Sequence, residues 1–129
     1  VDVNHTKDHL LEQAKEVYAY YKETDLATSR PLANSYGFQS AYEARAVISR
    51  FEMEPHLEMD TGVLRVGGIG FVWATYEMFS DAGIYIKENS PFDTTFIITG
   101  NNGYIPSADA FDYDSYEAVT GYYAKGTAE

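Results

Sequence analysis

The spacing of apolar residues changes character along the chain. From Asn4 to Lys22, Leu10, Leu11, Ala14, Val17, Tyr18 and Tyr21 recur three and four apart with charges between them, which predicts an amphipathic helix. Asp8 near its start suits the positive end of the helix dipole. Residues 24–38 contain Pro31, Gly37 and small polar side chains and are expected to form a long loop. Ser40-Ala41-Tyr42-Glu43 reads as a capping box. Ala44, Val47, Ile48 and Phe51 continue it at helical spacing, so a second helix is predicted to run to Phe51. Past Pro55 the period shortens. Leu57 and Met59, then Asp60-Thr61-Gly62, then Val63, Leu64 and Val66 read as strand, tight turn and strand, with Gly67-Gly68 as a further turn.

Ile69 to Thr75 is an almost unbroken apolar run, and Thr94 to Thr99 is a second such segment. Both are expected to be buried strands. Between them Met78, Phe79, Ala82, Tyr85 and Ile86 predict a helix over 77–88, stopped by Ser90-Pro91. A strand–helix–strand unit of this length is expected to cross right-handed and to set its two strands parallel. Gly100 to Pro106 reads as a loop, Ser107 as the cap of a short helix through Phe111, and the remaining Tyr- and acid-rich stretch shows no clear period. The expected fold is α+β with an α/β-like βαβ unit and a hairpin, packed with two N-terminal helices, as part of a larger αβα layered domain.

Composition narrows the functional classes. The chain has 129 residues, 45% hydrophobic, enough for the core of a single domain. The formal charge is −11, and no basic run exists, so phosphate backbones and anionic lipid are repelled; nucleic-acid binding is not expected. No apolar stretch approaches the length of a membrane span, and no signal-peptide pattern opens the chain, which therefore reads as soluble. There is no cysteine, which excludes disulfides, thiolate catalysis and Cys-ligated metal. Val1 stands where a Met would begin a chain, so the start reads as a boundary within a larger protein. A sheet cut there would leave an exposed edge, open to pairing with a second copy.

Candidate chemistry gathers where the two apolar strands end, because ligands of open α/β sheets sit outside the carboxyl ends of the strands. Glu77 lies just past strand 69–75 and Tyr104 just past strand 94–99, in a Gly/Asn-rich loop. Parallel neighbouring strands would bring both to one edge, where a carboxylate and a phenol can bind a hard metal or act as an acid–base pair. The plainer readings are a helix-dipole Glu and a packing Tyr whose hydroxyl bonds locally. His5 and His9 share a helical face but lack the Glu of His-Glu-x-x-His and read as a solvated face. His56 reads as structural. Asp109, Asp112, Asp114 and Glu117 lack the glycine and terminal Glu of a calcium loop and read as a solvated acidic turn. Val66-Gly67-Gly68-Ile69-Gly70 precedes a strand and is no dinucleotide fingerprint. The Asn4-His5-Thr6 sequon is a pattern that recurs by chance.

Glu77-Met78-Phe79, Gly83-Ile84-Tyr85-Ile86-Lys87, Ser90-Pro91-Phe92, Thr95-Phe96-Ile97-Ile98, Gly103-Tyr104-Ile105-Pro106-Ser107, Ala110-Phe111 and Tyr116-Glu117 follow one another in an order that resembles the late part of the catalytic domain of the neutral/alkaline, non-lysosomal ceramidase family. The resemblance covers roughly residues 63–129. It implies a zinc amidohydrolase that cleaves an N-acyl bond, with zinc held by two upstream histidines together with Glu77 and Tyr104. The chain would then be a C-terminal piece of that domain, inactive alone, whose partner is the preceding part of the same protein. Tyr76 stands where the family has glycine, which predicts crowding beside the carboxylate, and the loop before Tyr104 is shorter than the family's. Two other classes stay open: a non-catalytic α+β module binding a partner or glycan through its tyrosines, and a pseudoenzyme domain.

Overall fold

The computed structural model describes residues 1–129. The fold is α+β, and its elements divide into a helical lobe and a sheet lobe joined by a short parallel bridge. In the helical lobe, α1 (Leu11–Glu23), α2 (Leu26–Ser35) and α3 (Ala41–Phe51) surround a core of Ala14, Val17, Ala33, Phe38, Ala41, Ala44 and Val47. Ala14 and Val17 of α1 and Ala44 and Val47 of α3 belong to the helical spacing read from the sequence, whereas Phe51, at the end of that stripe, is 44% exposed. A single 3₁₀ turn, Asp8–Leu10, leads into α1; the expected helical start at Asn4 is too early. Residues 1–4 instead run extended between residues 55–57 and 122–124: Val3 N–H donates to Pro55 O, Asn4 N–H to Tyr122 O, and Ala124 N–H to Asp2 O. Asn4 is buried, with its Oδ1 accepting from Thr6 Oγ at 2.6 Å.

Residues 24–38 hold a helix where a loop was expected. Asp25 caps α2 by accepting from Thr28 N at 2.8 Å and Thr28 Oγ at 2.9 Å, and those bonds hold its carboxyl below the ordinary range. Pro31 sits inside α2 and removes one N–H from its ladder. Burial of Ala33 and Ser29 against the neighbouring helices outweighs that loss.

Ser40 caps α3 by accepting from Tyr42 N at 3.2 Å. Glu43, the other half of the expected capping box, reaches one residue further back, to Gln39 N at 2.7 Å, and also accepts from Lys7 Nζ at 2.5 Å. It is only 1% exposed. Two turns along the same face lies Arg50, 2% exposed, donating Nη1 to Val119 O at 3.1 Å and Gly121 O at 2.5 Å. Burial lowers the guanidinium's pKa, and Glu43 and Asp8 oppose that shift. Arg50 thereby ties α3 to the end of α5 (Tyr116–Thr120). That helix, unforeseen in the aperiodic tail, is capped by Ser115 Oγ accepting from Ala118 N.

The sheet lobe has the order β1-β2-β4, with β1 Thr61–Val66, β2 Ile69–Ala74 and β4 Thr94–Thr99. β1 pairs antiparallel with β2, and β2 parallel with β4. The crossover helix α4 (Ser80–Glu88) connects them, as the strand–helix–strand pattern required. The hairpin turn is at Gly67-Gly68, with Gly67 at φ +61°. The turn expected at Asp60-Thr61-Gly62 is absent. Gly62 lies within β1 because the Trp73 indole crosses it, leaving no room for a Cβ. The helix expected from Glu77 begins only at Ser80, since Glu77–Met78 form a short strand, β3. Ser107 does not cap the following 3₁₀ turn, Ala108–Phe111; its Oγ donates to Asp109 Oδ1 at 2.6 Å.

The expectation that β2 and β4 are buried fails. Trp73 of β2 is 40% exposed, and Ile98 and Phe96 of β4 are 52% and 49% exposed. These strands have the composition of buried parallel strands, but α4 covers only one face of the sheet. No helix is long and apolar enough to cross a membrane.

Candidate functional site

The bridge between the lobes is the pairing of β3 with β5 (Tyr104–Ile105), parallel and in a register that sets Glu77 directly opposite Tyr104 and Met78 opposite Ile105. Glu77 N–H donates to Gly103 O at 2.9 Å and Phe79 N–H to Ile105 O at 3.3 Å. The two residues singled out from the strand ends are therefore neighbours on one edge. The pairing depends on a close crossing of backbones. Gly100 N–H donates to Ala74 O at 2.8 Å and Asn102 N–H to Thr75 O at 3.0 Å. A Cβ at Gly100 would lie 2.5 Å from Thr75 O, closer than any side chain tolerates. Gly103, at φ +110°, takes a conformation that other residues resist.

Tyr76 does not crowd Glu77. Tyr76 lies in the bend that precedes β3 and is buried, while Glu77, the first residue of the strand, is exposed. The Tyr76 hydroxyl donates to Glu58 O at 3.2 Å, and its ring meets Tyr123 edge-on at 5.2 Å. Burial, with the Tyr76 hydroxyl second, pushes the Tyr123 phenol well above its ordinary value.

Tyr104 is half-buried, and its ring lies edge-on to Tyr116 at 6.1 Å. Its pKa is raised, first by burial and then by the charges of Glu77, Tyr116 and Glu117. The phenol is thus held protonated beside carboxylates. It is a hydrogen-bond donor as it stands, and a cation placed among the same oxygens would reverse the shift. Tyr104 also opens onto a cleft of about 290 Å³ lined by Tyr42, Arg45, Tyr116 and Tyr122. Tyr42 and Arg45 are exposed positions of α3, outside the helical stripe read from the sequence.

The remaining candidates do not converge. His5 Nδ1 bonds Asp8 at 2.8 Å, and His56 Nδ1 bonds the exposed Asp2 at 2.6 Å. Asp109 accepts from Ser107, and Asp112 pairs with Lys125. Asp114 adopts a left-handed φ of +50°, and its carbonyl accepts from Gln39 Nε2. No three His, Cys, Asp or Glu side chains come together as a metal-binding group. Glu77 and Tyr104 are two oxygen-bearing residues on paired strands, fewer than the three protein ligands a catalytic zinc takes.

Comparison with protein-family models, with curated proteins and with solved structures finds no match. A role for Glu77 and Tyr104 rests on their geometry and on the resemblance of the motifs that flank them.

Proposed function

We propose that this chain forms one wall of a ceramidase-like zinc amidohydrolase site, with Glu77 and Tyr104 as the half of the metal site that it contributes and two histidines supplied by a preceding part of the same polypeptide. The observation that carries the reading is the register of β3 with β5, which sets the carboxylate opposite the phenol. Glu77 is the anionic donor, free of any side-chain partner that would have to be displaced. Tyr104 supplies the phenol oxygen of the pair, half-buried beside Glu77. Zinc held there would lower the pKa of a bound water and polarise an amide carbonyl. The backbone of residues 100–103 fixes the two side chains relative to each other, which is the positioning such chemistry needs.

The test is zinc content and N-acyl amide hydrolysis, measured on the chain alone and on a longer polypeptide containing the preceding region. Zinc bound stoichiometrically only by the longer form, and lost in Glu77→Ala and Tyr104→Phe, is the expected result. Full zinc affinity in both variants, or no zinc in the longer form, overturns the reading.

A second reading draws on the cleft. Its tyrosines and Arg45 form an amphipathic surface suited to a carboxylate-bearing or glycan ligand without chemistry. Ligand binding by the chain alone, insensitive to Glu77→Ala and abolished by Arg45→Ala, would favour this module over the amidase.

A further inference from the structure

The cleft beside Tyr104 carries a charge opposite in sign to that of the chain. Tyr104 enters its lining from β5, Arg45 from α3 and Tyr116 from α5. Arg45 is the only cation in that lining, and no lining residue is acidic, although 20 of the 129 residues are Asp or Glu. The ion pairs of the chain use His5, Lys7, Lys15, His56 and Lys125, and Arg45 enters none of them. Hydroxyls of Ser49, Tyr104 and Tyr116 stand in the same lining. One guanidinium without an acid, among hydroxyls, suits a single anionic group, and the planar fork of Arg matches a carboxylate with two parallel bonds. The cleft is also held in shape before anything binds. Gly121 O, in its wall, accepts from the buried Arg50 Nη1 at 2.5 Å, and Thr120 Oγ donates to Tyr116 O at 2.7 Å, so little ordering remains for a ligand to bring about.

We propose that this cleft receives the amine half of the amide cleaved at the Glu77–Tyr104 edge, and that this half carries a carboxylate bound by Arg45, which makes the substrate an N-acyl amino acid. The assignment rests on the amidase reading of Glu77 and Tyr104 and adds a substrate class to it. Three features select this half and this charge. The cleft, at about 290 Å³, is at the small end of ligand pockets, about 300–1,000 Å³, and its phenols, hydroxyls and guanidinium suit a compact polar group better than an acyl chain. Tyr104 belongs both to the cleft and to the pair with Glu77, so a group seated in the cleft has its amide at that edge. Glu77 is an anion facing Tyr104 across the strand pair, while Arg45 is a cation in the cleft. A ligand carboxylate is therefore driven away from the first and towards the second, which fixes the direction in which the substrate lies. In the hydrolysis, the oxygen of a water joins the acyl carbon, the C–N bond breaks, and a proton passes to the departing nitrogen. The products are a carboxylic acid and a free amino acid. Arg45 acts in this scheme as a specificity-determining residue.

The test uses the longer polypeptide that contains the preceding region, with N-hexanoylglycine and its uncharged counterpart N-hexanoylglycinamide as substrates and hexanoate release as the signal. We expect kcat/KM to favour N-hexanoylglycine by at least about tenfold, with the difference carried by KM and reduced by added salt. Arg45→Gln and Arg45→Ala alter an exposed position, so circular dichroism and zinc content should match the wild type. Both should bring the ratio of the two substrates close to one. Arg45→Lys should keep part of the preference, because the charge remains and the fork does not. Equal kcat/KM in the wild type, a preference for the glycinamide, or a preference that survives Arg45→Gln overturns the proposal; zinc binding and cleavage of both amides would then leave the amidase reading in place. A longer polypeptide that holds no zinc and cleaves neither amide overturns that reading and the substrate class with it, and saturable binding of N-hexanoylglycine to such a protein would assign the cleft to the non-catalytic module instead.

Discussion

The helical lobe and the sheet lobe invert each other's polarity. The helical lobe encloses Glu43 and Arg50, both almost fully buried, among alanines and valines. The sheet lobe turns Leu64, Trp73 and Phe96 outward. Burial follows from what lies against a segment, and composition only says what would suit it. In the helical lobe three helices and α5 close on one another, and the charges that are trapped find partners in Lys7, the Gln39 amide and the carbonyls of Val119 and Gly121, with Arg50 Nε left without one. In the sheet lobe one helix serves a sheet with two apolar faces, so the second face stays open.

The largest effect that would break this contrast is at Glu43. Glu43→Ala breaks the buried pair with Lys7, frees the Gln39 amide and removes one of the two carboxylates that offset the buried charge of Arg50. A loss of about 3–5 kcal/mol in stability is expected by urea denaturation, enough to unfold a marginal domain. A loss under about 1 kcal/mol would mean that the helical lobe gains little from its enclosed charges. Next is the bridge between the lobes. Gly100→Ala drives a Cβ into Thr75 O and should cost about 1–3 kcal/mol, visible as a lower melting temperature. It should also disturb the Tyr104 environment, read as a smaller upward shift of that phenol in an ultraviolet titration.

A third prediction concerns pH. The folded-state pKa of Tyr123 is raised above the ordinary phenol value by burial. Its stabilising contribution is therefore complete below the unfolded phenol pKa, about 10, and is lost as pH rises towards the folded value. Alkaline unfolding should be steep in the wild type and shallower in Tyr123→Phe, followed by circular dichroism. The smallest effect sharpens the contrast from the other side. Val66→Lys on the exposed face of edge strand β1 should change stability by no more than about 0.5 kcal/mol, whereas a comparable charge placed at Val17 of the helical core should prevent folding. A large loss at Val66 would show that this face is covered.

The elements that could be read from residue spacing are those with a long single period: α1, α3 and the crossover unit of β2, α4 and β4. The approach of Glu77 to Tyr104 could also be read, because parallel strands joined by one helix must end at the same edge. Three features were hidden for identifiable reasons. α2 contains Pro31, a breaker that the Asp25 cap and burial of Ala33 override. Gly62 mimics a turn residue, but its missing side chain serves the Trp73 indole. Tyr42 and Arg45 join the cleft only because α5 and the residue 100–104 loop are folded against α3.

Sequence by itself determined the α+β class, the parallel strand pair, the acidic surface and the two residues at the strand ends, because these follow from local periodicity, chain connectivity and charge. Tertiary structure alone decided that Glu43 and Arg50 are interior, that Tyr76 is buried while Glu77 is exposed, and that one face of an apolar sheet meets solvent. Each of those depends on which distant segment lies against the residue, and no pattern local to the residue records that.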